Sequence, residues 1–298
     1  MDKLLWIVNP HSGSGAIRED MMDCIDIFCK AGYEPTVYLT QGPQDACRIA
    51  REESHRFDRI VCCGGDGTLD EVVNGLMACE NPPPLGYIPG GTTNDMANSL
   101  GIPKYPEDAA KIAAHGRPFP MDVGRFNDRY FTYIAAFGAF TGVSYSTPQP
   151  YKSLFGHAAY VLEGIRTLPT IKAYPIEVEA KQAGISLAGD FIYGMVTNTT
   201  SVGGIIGVAP EDVEMDDGLF EVLLVRQPEN PMQLQGIISM LLAQDMRSEL
   251  IVHFKADRVC FKAQGEMPWT LDGEYGGAPQ QVEIENCKRA LTLLVEDV

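Results

Sequence analysis

Residues 60–68 read Ile-Val-Cys-Cys-Gly-Gly-Asp-Gly-Thr, a short apolar run that enters a glycine-rich turn. Two further stretches follow the same plan: residues 4–8 lead into Asn9-Pro10-His11-Ser12-Gly13-Ser14-Gly15, and residues 85–88 lead into Pro89-Gly90-Gly91-Thr92-Thr93-Asn94-Asp95. Short apolar runs bounded by glycine are typical of buried strands in a parallel sheet. A helical pattern follows each turn, so the repeated unit predicts an α/β domain.

The rest of the first third alternates strands and helices in the same way. Met21, Met22, Ile25 and Phe28, for example, fall at helical spacing. Thr68 and Glu71 have the spacing of a capping box, which predicts that a helix starts at the second glycine loop. The predicted strands are residues 4–8, 34–39, 60–63 and 85–88, and the predicted helices are residues 17–30, 44–53, 69–79, 95–100 and 106–115.

The pattern changes after about residue 122, where short alternating strands separated by turn residues predict an antiparallel sandwich or barrel. We therefore expect an α/β nucleotide-binding domain over residues 1–124 and an all-β domain over residues 125–298, with a boundary near residues 122–130. The last strand could return to either domain. The predicted strands are residues 131–137, 176–180, 191–196, 219–225, 258–262, 281–285 and 291–295, with helices at residues 157–168 and 232–246.

Composition narrows the function. The net charge of −17 disfavours nucleic-acid binding, which needs clustered Lys and Arg, and it disfavours broad adhesion to anionic membranes. The eight cysteines form no CxxC pair, which favours reduced thiols in a cytosolic protein over a zinc site or a disulfide framework. The apolar stretches at residues 4–8 and 231–243 are too short to span a bilayer. Any contact with lipid is therefore expected transiently, at the inner face of a membrane.

The three glycine-rich turns are expected to meet, because the carboxyl ends of parallel strands lie at one edge of the sheet. Glycines let a backbone approach phosphate closely and direct N–H groups toward it. Taken alone, each turn is more often a plain connection between a strand and a helix. Asp66 is more informative, because a carboxylate beside phosphate makes sense when Mg²⁺ lies between them. Its plainer interpretation is a side chain that stabilises the turn.

The three motifs together resemble the diacylglycerol kinase catalytic-domain family, which includes bacterial lipid kinases and sphingosine kinases. The resemblance rests on residues 9–13, 64–72 and 89–95, in the same order and at similar spacing, and it extends through the second half of the chain. It implies an NAD-kinase-like nucleotide domain followed by a β-sandwich domain, with the active site in the cleft between them.

Carried over by position, the resemblance implies a set of ATP contacts and two acidic positions near the cleft. Asp70 departs from the family pattern, which more often has Asn, and so adds negative charge beside the nucleotide loop. Asp95 and Asp122 match the acidic positions. The implied ATP-binding residues are Asn9, Pro10, His11, Ser12, Gly13, Thr40, Gly65, Asp66, Gly67, Thr68, Leu69, Asp70, Glu71 and Thr92.

The stretch Leu271-Asp272-Gly273-Glu274 has two interpretations. Considered alone, Asp-Gly between two apolar runs is most often a hairpin turn. The resemblance instead implies that Glu274 is the general base for the acceptor hydroxyl, while Asp272 helps to hold Mg²⁺ or that hydroxyl and Asp66 serves the catalytic metal. Phosphoryl transfer depends mainly on positioning and charge neutralisation, which suits these roles.

A second Mg²⁺, with a structural role, is implied at Glu214-Met215-Asp216-Asp217-Gly218-Leu219. Composition alone indicates a solvated acidic turn. The family instead places a metal there, bound by the backbone carbonyls of Glu214 and Leu219 and by the carboxylate of Asp217. A mixed set of carboxylate and carbonyl oxygens suits this hard cation.

These features lead to one main prediction and two alternatives. The main prediction is an ATP-dependent lipid kinase of phospholipid metabolism, with diacylglycerol as the first acceptor and phosphatidylglycerol or a sphingoid base as further possibilities. The alternatives are a soluble-metabolite kinase such as an NAD kinase, and a non-enzymatic nucleotide-binding regulator. The oligomeric state stays open, a homodimer included. Candidates for an apolar acceptor pocket are Tyr133, Phe137, Phe140, Tyr145 and Tyr151.

Overall fold

The computed structural model describes residues 1–13, 17–139, 171–199, 214–243 and 245–297 of the chain. The chain divides into two compact units. The first comprises Met1–Tyr133, Met215–Gly218 and Cys287–Val298, and the second comprises Ile134–Glu214 and Leu219–Asn286. Each unit is therefore built from separate stretches of sequence.

The first unit contains the predicted alternation of strands and helices. Parallel strands run in the order β2-β1-β3-β4, and β1 aligns Asp2 with Tyr33 of β2 and Leu4 with Arg59 of β3. Its elements are β1 Asp2–Val8, α1 Ile17–Lys30, β2 Tyr33–Leu39, α2 Asp45–Glu53, β3 Arg59–Gly64, α3 Asp66–Leu76, β4 Leu85–Pro89, α4 Asp95–Leu100, α5 Pro106–His115, β5 Arg117–Phe126 and β6 Arg129–Phe131.

Strands β1, β3 and β4 are mostly buried, which explains why they read as continuous apolar runs, whereas the edge strand β2 is largely exposed. Residues 4–8 of β1 are all buried. Helix α1 buries Ile17, Cys24 and Phe28, and the Phe28 ring packs edge-on against Trp6 at a centroid distance of 5.5 Å. Met22, which has the correct helical spacing, is nevertheless 72% exposed. Helix spacing thus identified the element but not its whole buried face.

The second unit is antiparallel. Its strands follow the order β14-β13-β7-β9-β8-β12-β15, and β10 pairs with β9 and β11. Its elements are β7 Ile134–Gly138, β8 Tyr174–Ala180, β9 Ile185–Thr197, β10 Phe220–Arg226, α6 Pro231–Leu242, β11 Ile251–Ala256, β12 Arg258–Ala263, β13 Trp269–Leu271, β14 Glu274–Gly277 and β15 Gln281–Val295. In β15, the residues up to Asn286 belong to the second unit, whereas those from Cys287 onward belong to the first unit, where Leu293 pairs with Leu85 of β4.

Several predicted boundaries were wrong. The predicted strand at residues 131–137 is two strands, β6 and β7. The predicted strands at residues 281–285 and 291–295 are one strand, because the polar residues between them are also paired in β15. Strands β5, β11, β13 and β14 were missed, and the helix predicted at residues 232–246 ends at Leu242. The helix predicted at residues 157–168 lies outside the described residues. Within the described part of the chain, no helix is both long and apolar enough to cross a bilayer.

Candidate functional site

The three glycine-rich turns contact one another at the carboxyl edge of the parallel strands in the first unit. A Cβ at Gly13 would lie 2.1 Å from the carbonyl oxygen of Gly90, and one at Gly91 would lie 2.6 Å from the Cα of Gly65. Gly13 also has a φ of +54°, a conformation that side chains disfavour. Glycine is therefore required for the turns to pack backbone against backbone. Ser14 and Gly15 lie outside the described residues.

Side chains of the first turn fix it to the second. Asn9 donates its side-chain N–H to Thr68 Oγ1 at 3.0 Å and accepts the backbone N–H of His11 at 3.0 Å. The backbone N–H of Gly65 lies 3.3 Å from Ser12 Oγ, which accepts it. The first two loops thus form one hydrogen-bonded group, and several residues implied as ATP contacts belong to it.

The third turn is held by Asn94 and Tyr87. Asn94 has a φ of 53°, and its side-chain amide both accepts from Gly91 N and donates to Gly91 O at 2.9 Å. The buried hydroxyl of Tyr87 donates to the carbonyl of Gly64 at 3.1 Å, which ties strand β4 to the second turn. Burial, together with the nearby charge of Asp66, raises the pKa of Tyr87, so its hydroxyl stays a donor. Sequence reasoning missed Tyr87, because it lies inside an apolar strand.

Asp66 is the acidic residue of the second glycine turn at this edge. Its Oδ2 accepts the backbone N–H of Asp95 at 3.3 Å, while its Oδ1 is buried without a hydrogen-bond partner among the described residues. Burial raises the pKa of the Asp66 carboxyl, and backbone N–H groups of residues 94–96 oppose that rise. A buried, unpaired carboxylate oxygen is costly, and a cation would offset the cost. The site therefore fits the Mg²⁺ that the sequence implies.

The predicted capping box at Thr68 and Glu71 is wrong. Helix α3 begins at Asp66, with Gly65 as its N-cap, so Thr68 lies inside the first turn of the helix. The Glu71 carboxylate turns away from that end: Oε1 accepts from Gln44 N at 2.8 Å and Oε2 from Ala46 N at 3.2 Å. The spacing matched the motif, but the Glu71 carboxylate accepts N–H groups at the start of α2 instead.

The other implied ATP positions differ in exposure. Gly67 and Thr92 are exposed, whereas Thr40 is buried and Leu69 belongs to the core. Asp70 is engaged along α3, where Asn74 donates to its Oδ1 at 2.9 Å. Leu69 and Asp70 therefore serve the fold, Leu69 through burial in the core and Asp70 through its hydrogen bond with Asn74. Gly67 and Thr92 are the accessible members of the set.

Asp122 lies at a second acidic site in the first unit, next to the turn at residues 215–218. Its side chain is fully buried, and it accepts the backbone N–H of Gly218 and of Arg289, each at 2.7 Å. Its own N–H donates to Met215 O at 2.9 Å, and Arg289 forms an ion pair with Asp216 at 2.9 Å. Asp122 thus holds the turn that carries the predicted metal residues. The sequence singled out Asp122 but gave no sign of this role.

The predicted metal residues Glu214, Asp217 and Leu219 follow one another along this turn. Among the described residues, no three His, Cys, Asp or Glu side chains form a metal-binding group, and two of the three implied ligands are backbone carbonyls. Lys288 donates to the backbone oxygen of Asp217 at 2.9 Å, and this oxygen is not one of the implied ligands. One carboxylate and two carbonyl oxygens are a donor set of the kind that Mg²⁺ accepts.

Asp272 and Glu274 lie in a hairpin of the second unit, between β13 and β14. Asp272 and Gly273 have φ values of 47° and 88°, as a two-residue hairpin turn requires. Asp272 is buried, and its Oδ1 accepts from Ile134 N at 2.9 Å, while its N–H donates to Ile134 O at 2.9 Å. Glu274 is exposed. The hairpin interpretation is therefore correct, and it also presents Glu274 on a rigid support.

An α/β unit whose glycine turns surround an acidic residue, followed by an antiparallel unit, defines a phosphotransferase of the nucleotide-dependent class. The model of the diacylglycerol kinase catalytic domain matches residues 3–126, and that of the YegS C-terminal NAD kinase beta sandwich-like domain matches residues 142–295. The chain belongs to the diacylglycerol kinase catalytic-domain family, a family of lipid kinases. The family and fold class predicted from the sequence are thereby confirmed.

Individual relatives agree with this assignment over almost the whole chain. A diacylglycerol kinase of Bacillus subtilis (strain 168) is 38% identical over 93% of this chain and 91% of its own length. A diacylglycerol kinase of Staphylococcus aureus (strain Newman) is 34% identical over 91% of this chain and 85% of its own. A crystal structure of a diacylglycerol kinase from Bacillus anthracis str. Sterne has a TM-score of 0.77 and 26% identity, covering 99% of this chain and 97% of that one.

Proposed function

We propose that this protein transfers the γ-phosphate of ATP to the hydroxyl of diacylglycerol, giving phosphatidic acid. The observation that carries the proposal is the buried Oδ1 of Asp66, which has no partner among the described residues and lies where three glycine turns meet. Such an atom calls for a cation, and the turns suit phosphate. Family membership and the names of the relatives support the lipid acceptor.

The glycine turns would bind the phosphates of ATP. Backbone N–H groups in the turns can approach phosphate oxygens because glycine leaves no side chain in the way. Asn9, Ser12 and Thr68 brace the first two turns through hydrogen bonds, and Asn94 braces the third. A braced site loses little entropy when the nucleotide binds, which favours correct alignment of the γ-phosphate.

Asp66 is the residue that would hold the catalytic Mg²⁺, and Asp217, with the carbonyls of Glu214 and Leu219, would hold the structural one. When bound, the catalytic ion neutralises phosphate charge. The protein's own contribution at Asp66 comes from the N–H groups of residues 94–96, which limit the rise in the pKa of this carboxyl that burial causes. At the second place, Asp122 keeps the turn in shape.

Glu274 would act as the general base. Its carboxylate accepts the proton of the acceptor hydroxyl as the hydroxyl oxygen bonds to the γ-phosphorus. The bond from that phosphorus to the bridging oxygen breaks, and ADP leaves with the electron pair. Asp272 anchors the hairpin at Ile134, so its described contact positions Glu274.

The acceptor would be presented by a membrane that the protein contacts peripherally at its inner face. Of the five aromatic candidates, Tyr133 and Phe137 are buried in the core, and Phe140, Tyr145 and Tyr151 lie outside the described residues.

The test is a labelling experiment with γ-labelled ATP, Mg²⁺ and one acceptor at a time: diacylglycerol, phosphatidylglycerol or sphingosine in neutral vesicles, or NAD in solution. We expect label in phosphatidic acid, and we expect the Glu274→Gln variant to bind ATP but to lose turnover by about 10²-fold or more. Label found only in NADP would refute the lipid acceptor. Equal turnover by wild type and variant would remove Glu274 from the mechanism.

A further inference from the structure

We infer that Glu71 is a positioning residue: from helix α3 it fixes the segment at residues 40–46, and it does not contact the nucleotide. The inference rests on the proposed ATP site. The Glu71 carboxylate uses one oxygen for the N–H of Gln44 (2.8 Å) and the other for the N–H of Ala46 (3.2 Å). Both oxygens therefore face the start of helix α2. A carboxylate would also repel a polyphosphate, whereas here it meets N–H donors.

Helix α2 depends on this contact from a different helix. A helix begins with N–H groups that its own chain leaves unpaired, and the N-cap side chain usually accepts one of them. The N-cap of α2 is Gln44, whose side chain makes no capping hydrogen bond within the described structure. Glu71 supplies two acceptors instead, and its negative charge is favourable at a helix N-terminus.

The conformation that Glu71 holds is an unfavourable one. Gln44 has φ 65° and ψ 3°, in the left-handed region that residues with a Cβ disfavour. Such a conformation persists only where its surroundings over-determine it. Gln44 itself is exposed, and its backbone is held by the hydrogen bond from its N–H to Glu71 and by the one that its carbonyl accepts from Arg48 N within α2.

The segment that Glu71 fixes contains a predicted nucleotide contact. Thr40 is buried, and its N–H donates to Val8 O at 2.9 Å, at the end of β1 where the first glycine turn begins. Gln41 N donates to the carboxylate of Asp45 at 2.9 Å, so the segment is tied at both ends. Without the two hydrogen bonds to Glu71, Gln44 would leave its left-handed conformation, and Thr40 would no longer be held in one position. ATP affinity should then fall, while the transfer step should be unaffected.

Two variants and a control test this inference. Glu71→Gln keeps the size of the side chain but leaves only one acceptor oxygen, so the KM for ATP should rise about tenfold with kcat within about twofold. Gln44→Gly removes the cost of the left-handed conformation, so Glu71→Gln combined with Gln44→Gly should return the KM to within about threefold of wild type. Glu52→Gln, the same change on the exposed side of α2, is the matched control and should match wild type.

Amide hydrogen exchange in the nucleotide-free protein tests the contact without any activity. Exchange in residues 40–46 should be faster in Glu71→Gln than in wild type and than in Glu52→Gln. Unchanged exchange would overturn the inference, and so would a loss of ATP affinity that Gln44→Gly does not restore, because Glu71 would then contact the nucleotide itself. If the wild type fails to bind ATP, the proposed function fails, while the exchange comparison still decides whether Glu71 holds the segment.

Discussion

Replacing Asp66 with asparagine should stabilise the nucleotide-free protein while removing its response to Mg²⁺ and ATP. The substitution keeps the shape of the side chain and retains an oxygen that can accept the N–H of Asp95, now 3.3 Å from Oδ2. The substitution removes the negative charge of a carboxylate whose other oxygen, Oδ1, is buried without a described partner. The cost of that charge to folding disappears with it, as does the carboxylate for the metal.

The size of the effect follows from the cost of an unsatisfied buried group. Leaving such a polar atom without a hydrogen bond costs about 1–3 kcal/mol, and more when it is charged. The new amide nitrogen would also lack a partner, and the side chain of Asp66 is only partly buried. We therefore expect a net gain of about 1 kcal/mol in the free energy of unfolding.

The gain should depend on pH in a defined direction. Because burial raises the pKa of Asp66 in the folded protein above its ordinary value of 3.8, the folded state binds the proton more tightly than the unfolded state. Ionised Asp66 therefore destabilises the wild type little at pH values below 3.8, and more as the pH rises through the pKa of Asp66 in the folded protein. The advantage of the variant should be small at acidic pH and should widen toward neutral pH.

Urea unfolding from weakly acidic to neutral pH, with and without Mg²⁺ and ATP, measures both effects. Saturation at a hundredfold above Kd should stabilise wild type by about 2.7 kcal/mol, while Asp66→Asn should gain much less. Asp108→Asn, at an exposed carboxylate, serves as the control and should change stability by less than about 0.5 kcal/mol. A variant that is less stable than wild type, or an advantage that narrows as pH rises, would refute the reasoning about Asp66.

Three further substitutions probe the supports of the site, each by chemical denaturation. Gly13→Ala should cost more than about 2 kcal/mol, because it combines a left-handed φ with a 2.1 Å clash, whereas Gly236→Ala, with no described atom within 4 Å, should be neutral or stabilising. Asp122→Asn should cost about 2 kcal/mol, because an amide oxygen replaces two charged acceptors at 2.7 Å. Tyr87→Phe should cost about 1 kcal/mol through its lost bond to Gly64, and a cost near zero would count against that bond.

The sequence predicted the first unit well because three of its parallel strands, β1, β3 and β4, are buried apolar runs that lead into glycine-rich turns. That pattern predicts both the strand and the end at which its turn lies. The helix predicted at residues 95–100 also has the observed bounds. The second unit was harder, because the long strand β15 passes through a polar stretch at residues 285–290 that reads as a loop. Within that stretch Arg289 has a φ of 51°, and its N–H donates to the Asp122 carboxylate, a distant contact that no local pattern reveals.

The site was predictable where chemistry leaves a local motif. Together with the other two glycine turns, Gly64–Thr68 indicates a phosphate site, but the hydrogen-bond partners of Glu71, Asp122 and Asp272 lie far from them along the chain. Thr68 and Glu71 show the limit most clearly, because their spacing fits a capping box while the carboxylate caps another helix. Motifs identify reacting groups, whereas the groups that hold them in place become visible only in three dimensions.

Strand β15 has a consequence for how the chain folds during synthesis. The outer neighbour of β4 in the first unit is β15, through the pair Leu293 and Leu85, so a nascent chain that ends near residue 133 has made every nucleotide loop but lacks that strand. Until residues 287–295 leave the ribosome, the β4 edge would stay open to pairing with other chains. The capacity to bind ATP should thus arise only after residues 287–295 have been made, although the glycine loops precede them in the sequence.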